Sequence, residues 1–374
     1  MIETHGMTRR SDLTWTRRRV VQATGMTAAG VGATAPGVTA TERRAESGAE
    51  TDPTPDVSAL RQQTGSESEA TLIEADPDAG FNWPYFLSTP AVPESGENGG
   101  SRGSGGETRP LVVVCSPRRG VPSETDRRRE SGRTEIERGI VKAITSTLNA
   151  PGVVPLIPAR TADGVYDPVG VYGEGLDRLD RQVIAMIDDA RDRLADAPYE
   201  IPPAVHVGGF STNGRFAEMF TILHPDRVNA VSAGGNGISV LPLAELTDDV
   251  PTAGNPGETT LPWPVGIADL SELTGDEFDR DAWVNTSQYR YIGADDQDPD
   301  APGQYVHKLY RDTGSPDALI QDVFGSLQVD DRFRTSEAIF EHVGASATFR
   351  AYAGVEHRVT GQMIDDIAAF HSRQ

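Results

Sequence analysis

Residues 204–216 read Ala204-Val205-His206-Val207-Gly208-Gly209-Phe210-Ser211-Thr212-Asn213-Gly214-Arg215-Phe216. The first six are small or β-branched for the most part and predict a short buried strand. Further on, Phe216, Phe220 and Leu223 recur at the spacing of one helix face, and Pro225 ends that helix. Strand and helix are joined by a turn so tight that the positions flanking its serine must be small. Gly209 stands two residues before Ser211. Asn213 stands two after it, where a glycine would be usual, and Gly214 follows at once. Asparagine tolerates left-handed backbone angles better than most residues, so the departure is mild. Ser211 falls at the helix N-terminus, where partial positive charge favours a developing anion. A helix-capping serine has the same local pattern, so the surrounding sequence decides between the two.

Outward from this turn the chain alternates. Leu111–Cys115 is an unbroken apolar run, and Gly152–Ile157 is another short strand. Phe81–Leu87 is aromatic-rich, but Pro84 demotes it to an edge strand. Between them, Ile136, Ile140, Val141, Ile144 and Leu148 predict one helix. Leu179, Val183, Ile184, Ile187 and Leu194 predict a second, with Asp and Arg on its other face. After the serine turn, strands are predicted over Asn229–Ala233, Ser287–Ile292 and Ala347–Tyr352. Met363, Ile364, Ile367 and Phe370 stripe a final helix. The alternation predicts an α/β fold: a mostly parallel twisted sheet with helices on both faces, and sites at the carboxyl ends of the strands.

Composition narrows the function. The 374 residues carry 56 Asp+Glu against 34 Lys+Arg, a formal charge of −22. Nucleic acids and anionic lipid need cationic contacts, so neither is an expected partner. Only Lys142 and Lys308 are lysines. High acidity with almost no lysine is the surface expected of a salt-adapted protein, because salt screens the self-repulsion. The single Cys115 allows no internal disulfide, so packing and electrostatics must stabilise the chain.

The N-terminal 40 residues read as an address. Thr16-Arg17-Arg18-Arg19-Val20-Val21-Gln22 matches the twin-arginine export pattern. The weakly apolar Ala23–Ala40 that follows is too interrupted to span a bilayer as a stable helix. The expected partner is the twin-arginine export machinery, and the expected location is outside the cell membrane. Residues 41–70, rich in Thr, Glu, Ser, Pro and Asp, read as a disordered acidic tether. The domain is expected over 71–374, with a flexible Gly/Ser-rich loop at 94–108 and a lid-like insertion at 238–283. Leu241, Leu243, Leu246, Leu261, Trp263 and Leu270 of that insertion could line an acyl pocket or pack against the sheet.

Two further segments end strands in reactive residues. Tyr289-Arg290-Tyr291-Ile292-Gly293-Ala294-Asp295-Asp296 closes on a Gly-x-x-Asp turn, and Tyr352-Ala353-Gly354-Val355-Glu356-His357 closes on a histidine. A serine hydroxyl needs a base to take its proton, and the imidazole needs a carboxylate to hold its tautomer and offset its charge. Asp296 is favoured by the Gly-x-x-Asp spacing, with Asp295, Asp298, Asp300 and Asp269 as alternatives. His206 lies mid-strand, in a core or surface position. His224 ends a helix. His307, His342 and His371 stand in charged stretches read as solvated.

With its strand–Gly209-x-Ser211–helix turn and the order Ser211, Asp296, His357, the chain resembles the α/β-hydrolase superfamily, and within it the secreted esterase-like group (polyester depolymerases and feruloyl esterases). The resemblance covers roughly Phe81–Phe370. It implies that Ser211 attacks an ester carbonyl, that His357 is general base and then acid, and that Asp296 orients His357. No cofactor or metal is implied; the partner is a small or polymeric ester, with a peptide as the alternative substrate and an inactive binding protein as the alternative class. The oxyanion donors would be the backbone N–H of Thr212 and one from the loop after Leu111–Cys115. Pro117 there has no N–H, which leaves Arg118 as the candidate. Arg118, Arg119, Arg127, Arg128, Arg129 and Arg133 crowd that region. They read as a solvated mixed-charge loop or a grip on an anionic acyl group. Asp296-x-Asp298-x-Asp300 lacks the glycine and glutamate of a calcium loop. Gly234-Gly235-Asn236-Gly237 reads as a turn after a strand, not a phosphate cradle.

Overall fold

The computed structural model describes residues 69–90, 107–115, 122–162, 166–172, 175–254, 256–296 and 316–374. The export motif, nearly all of the tether, most of the 94–108 loop, Arg118 and Arg119, Asp298, Asp300 and His307 lie outside these residues. Among the described residues, eight strands form one sheet: β1 (Glu69–Ile73), β2 (Tyr85–Thr89), β3 (Val112–Val113), β4 (Gly152–Pro155), β5 (Val205–Phe210), β6 (Val228–Gly234), β7 (Ser287–Gly293) and β8 (Ala347–Tyr352). Their order across the sheet is β1-β2-β4-β3-β5-β6-β7-β8. From β4 to β8 every neighbouring pair is parallel, and β2 runs antiparallel to both β1 and β4.

Successive strand residues face opposite sides of a sheet, and each side here has its own core. Leu87, Val113, Val153, Val207 and Val231 pack on one side with helices Leu179–Arg193 and Thr212–Leu223. Their chain neighbours Phe86, Val112, Val154 and Ala230 pack on the other with helices Ile140–Leu148 and Gly361–His371. Both faces of the sheet are thereby covered, as the unbroken apolar run at Leu111–Cys115 requires.

Several expectations need correcting. Strand β2 is interior, lying between β1 and β4. Pro84 stands one residue before it, so the missing N–H costs no ladder bond, and the Pro84 carbonyl accepts from Leu156 N–H at 3.0 Å. The tether gives way to strand at Glu69, not at residue 71. Of the clustered arginines, Arg127, Arg128, Arg129 and Arg133 lie in no loop: Thr125–Arg138 is helical. Within it Arg128 is 1% exposed, bonded to the carbonyls of Leu156 and Pro122, with its guanidinium over the Trp83 ring. A second helix, Ile140–Leu148, follows where one was expected. Gly139 makes the break, because a side chain there would overlap the Glu135 carboxylate that accepts from Val141 N–H at 2.9 Å.

In the 238–283 stretch, Leu241, Leu246, Leu261, Trp263 and Leu270 are buried in the larger core and Leu243 packs partly buried against it. No helix among the described residues is long and apolar enough to cross a membrane.

Candidate active site

Ser211 follows the last residue of β5 and precedes the helix Thr212–Leu223. Its backbone has φ 58° and ψ −122°, a region that side-chain-bearing residues rarely occupy and that costs about 1–3 kcal/mol. The surroundings enforce it. Ser211 N–H donates to the carbonyl of Gly234 at the end of β6, at 2.8 Å. A Cβ on Gly209 would overlap the Asn213 carbonyl, and one on Gly214 would lie 2.5 Å from the Gly234 carbonyl. Strand end and helix start therefore pass so closely that Gly209 and Gly214 cannot carry side chains. Asn213, between them, is partly buried.

The histidine and the aspartate arrive on neighbouring strand ends. Asp296 lies three residues beyond β7 and His357 five beyond β8. The two loops are bonded together: Ala294 N–H donates to the Tyr352 carbonyl at 2.8 Å and Asp295 N–H to the Val355 carbonyl at 2.9 Å. Gly293 permits this, since a Cβ on it would overlap the carbonyls of Val355 and Glu356. Asp296 is 2% exposed, and its Oδ2 stands 2.7 Å from His357 Nδ1. The other imidazole nitrogen, Nε2, stands 3.0 Å from Ser211 Oγ. Phe210 packs beside the imidazole, ring centroids 4.9 Å apart.

Of the alternative acids, Asp295 is exposed and Asp269 accepts from Trp263 N–H at 2.6 Å. Thr212 is the first residue of the helix and 7% exposed. Arg118 lies outside the described residues. A serine hydroxyl, an imidazole and a buried carboxylate in this line can pass a proton from Oγ to Nε2 while the carboxylate holds Nδ1 protonated.

The sheet order, the strained serine between β5 and its helix, and a histidine and aspartate at the ends of β8 and β7 together decide the architecture. This is the α/β-hydrolase fold. Solved structures similar to this chain include a poly(3-hydroxybutyrate) depolymerase from Bordetella parapertussis, at 18% identity over 85% of this chain and 90% of that one, TM-score 0.43. Carboxyl esterase 2 from Tuber melanosporum is similar at 9% identity over 84% and 86%, TM-score 0.43. A ferulic acid esterase is similar at 11% identity over 82% and 95%, TM-score 0.42. No protein-family model and no curated protein matches the chain.

Among the described residues, His224, His206 and His371 of this hydrolase-fold chain are held elsewhere. His224 Nε2 lies 2.8 Å from Oδ2 of Asp180, which is fully buried and bonded also to Arg178. Burial pushes the Asp180 carboxyl up, but the Arg178 and His224 partners outweigh it and hold it below its ordinary range. His371 is not solvated, as its charged neighbours suggested, but 1% exposed. Its Nδ1 lies 3.3 Å from His206 Nδ1, and its Nε2 lies 2.9 Å from Ser232 Oγ. The helical repeat carries the missed signal: His371 stands eight residues after buried Met363, on the same face. Burial lowers His206 to about 4, and burial, with His206 beside it, lowers His371 well below the usual value.

Proposed function

We propose that this chain is a serine hydrolase that cleaves carboxylic esters through an acyl-enzyme. The observation that carries the proposal is the unbroken line from Ser211 Oγ to His357 Nε2 at 3.0 Å and from His357 Nδ1 to Asp296 Oδ2 at 2.7 Å, on a serine held at φ 58°. Ser211 Oγ attacks the acyl carbon while His357 takes its proton. The resulting oxyanion is received by the Thr212 N–H and by a second donor, assigned to Arg118. The imidazolium then protonates the departing alkoxide, and the alcohol leaves. Water, deprotonated by the same imidazole, attacks the acyl-enzyme, and collapse frees the acid and returns the serine. Asp296 keeps His357 in the tautomer that presents a lone pair to Ser211.

Esters are the assigned class because an alcohol leaves more readily than an amine and asks less of the acid step. The test is the purified chain with a nitrophenyl ester and the nitroanilide of the same acyl group, in high potassium chloride. The expected result is ester turnover that disappears in Ser211→Ala. Preferential anilide turnover would make the chain a peptidase, and no turnover of either would overturn the proposal.

Export and salt adaptation belong to the same reading. Residues 1–40 direct the folded chain outward, which the twin-arginine route allows, and the −22 charge suits a concentrated salt medium. A reporter fused to residues 1–40 is expected to leave the cytoplasm, and Arg17→Lys with Arg18→Lys to retain it. Equal export of both would remove the address.

A further inference from the structure

The turn Gly234-Gly235-Asn236-Gly237 lies against the back of the serine elbow. The Nδ2 atom of Asn236 donates to two backbone carbonyls, that of Ser211 at 3.1 Å and that of Gly234 at 3.1 Å. An amide nitrogen has two hydrogens, and here both are used on carbonyls. The alternative orientation, with the amide oxygen facing two carbonyl oxygens, would leave both pairs repelling, so the assignment of nitrogen and oxygen is fixed by the partners.

Ser211 is gripped on both sides by this one turn. Its N–H donates to the Gly234 carbonyl at 2.8 Å, and its C=O accepts from Asn236. The turn is itself anchored through Tyr291, which is fully buried on β7. The Tyr291 hydroxyl donates to the Gly209 carbonyl at 2.9 Å, and its backbone carbonyl accepts from Gly235 N–H at 2.9 Å. Gly214 leaves room for the arrangement, since a Cβ there would lie 2.9 Å from Asn236 Nδ2.

The Ser211 carbonyl belongs to the same peptide unit as the Thr212 N–H. A trans peptide is planar, and its C=O and N–H point in opposite directions. Fixing the oxygen therefore fixes the direction of the hydrogen. A donor on the oxygen also polarises the unit, which strengthens the N–H as a donor in turn.

From this we infer that Asn236 is a positioning residue for the oxyanion hole: by holding the Ser211 carbonyl it aims and polarises the Thr212 N–H toward the oxyanion. The inference rests on the hydrolase reading above. The Asn236 side chain bonds to the Ser211 backbone carbonyl, so it is assigned to act through the peptide. Removing its donor leaves the Ser211 carbonyl its helical bond from Arg215 N–H, 2.9 Å, so the fold is expected to survive. What is lost is transition-state stabilisation, which belongs to kcat and not to KM.

The experiment compares the full chain with Asn236→Ala and with Asn236→Asp, which keeps the shape and has no donor at neutral pH. Nitrophenyl ester kinetics, binding of a trifluoromethyl ketone that forms an oxyanion on the serine, melting temperature and hydrogen exchange of the peptide spanning Ser211 are measured together. The expected result is a fall in kcat of tenfold or more in both variants. Ketone affinity falls by a matching factor, KM stays within twofold, the melting temperature holds in Asn236→Ala, and the elbow peptide exchanges faster. Wild-type kcat in both variants beside an inactive Ser211→Ala overturns the role, as does rescue by aspartate, which would mean that shape alone matters. If the wild type itself turns over no ester, the hydrolase reading fails. The exchange data then decide the clamp separately: unchanged elbow exchange in both variants overturns it.

Discussion

Oδ2 of Asp296 stands 2.7 Å from Nδ1 of His357, although 61 residues separate them in the chain. The contact exists because β7 and β8 are parallel neighbours whose carboxyl ends face the same way, and because Gly293 has no side chain to keep the two loops apart. In the proposed reaction a carboxylate so placed, 2% exposed, would hold one imidazole tautomer and offset a positive charge on the ring.

Asp296→Asn is expected to lower kcat by about 10³–10⁴-fold, because the amide lets the ring present the wrong nitrogen to Ser211. Asp295→Asn, at an exposed neighbour, is expected to stay within twofold of wild type. Steady-state ester kinetics on the two variants check this. Equal losses would mean that the acid has been assigned to the wrong residue.

Gly293 and Gly354 separate steric from conformational demands. A Cβ on Gly293 would overlap the carbonyls of Val355 and Glu356, so Gly293→Ala is expected to push the His357 loop away and cut kcat at least tenfold. Gly354 has open space but φ +73°, so Gly354→Ala is expected to cost about 1 kcal/mol of stability with kcat retained. Denaturant melts beside kinetics distinguish the two.

The buried pair His206 and His371 links stability to pH. Folded His206 takes a proton only near pH 4, and His371 is lowered as well, whereas the unfolded chain binds protons at both near pH 6.5. Between these limits the unfolded state holds more protons, so stability is complete above about pH 6.5 and is lost as pH falls toward about 4. Moving from pH 7 to pH 5 is expected to cost about 2 kcal/mol through His206, with a further loss of the same sign through His371. Denaturant midpoints at the two pH values measure it. The double variant His206→Gln, His371→Gln is expected to show a flatter dependence over the same interval.

The net charge of −22 leads to a salt dependence of the opposite character, acting on the whole surface. The melting temperature is expected to rise as potassium chloride is added and repulsion among carboxylates is screened. A melting temperature indifferent to salt would remove the salt-adapted reading.

Legibility in the sequence followed the strength of the local signal. Ala347–Tyr352 and the Ser211 turn were legible because apolar pattern, glycine placement and helix stripe agree there. Strand β1 was not, because Glu69-Ala70-Thr71-Leu72-Ile73 emerges from a polar tether with only two large apolar residues and is stabilised by pairing with β2. The helix Thr125–Arg138 was hidden by its charge: its one large apolar residue, Ile136, gives no stripe, and the buried Arg128 owes its place to two distant carbonyls and Trp83. In the site, sequence order supplied Ser211 and His357. The Gly-x-x-Asp spacing favours Asp296 among its neighbours, but what turns it inward is the bonding between two distant loops, and Asn236 shows in the sequence only as part of a turn because its partners are backbone atoms 25 and two residues away.

The most direct test of the central claim is covalent labelling of the purified chain by a fluorophosphonate in high salt, with the modified peptide identified by mass spectrometry. The account expects label on Ser211 alone, none in Ser211→Ala, and a labelling rate lowered by orders of magnitude in His357→Ala. A well-folded wild-type chain that takes no label, or takes it equally in His357→Ala, would contradict the account, because Ser211 would then be a hydroxyl that no base activates.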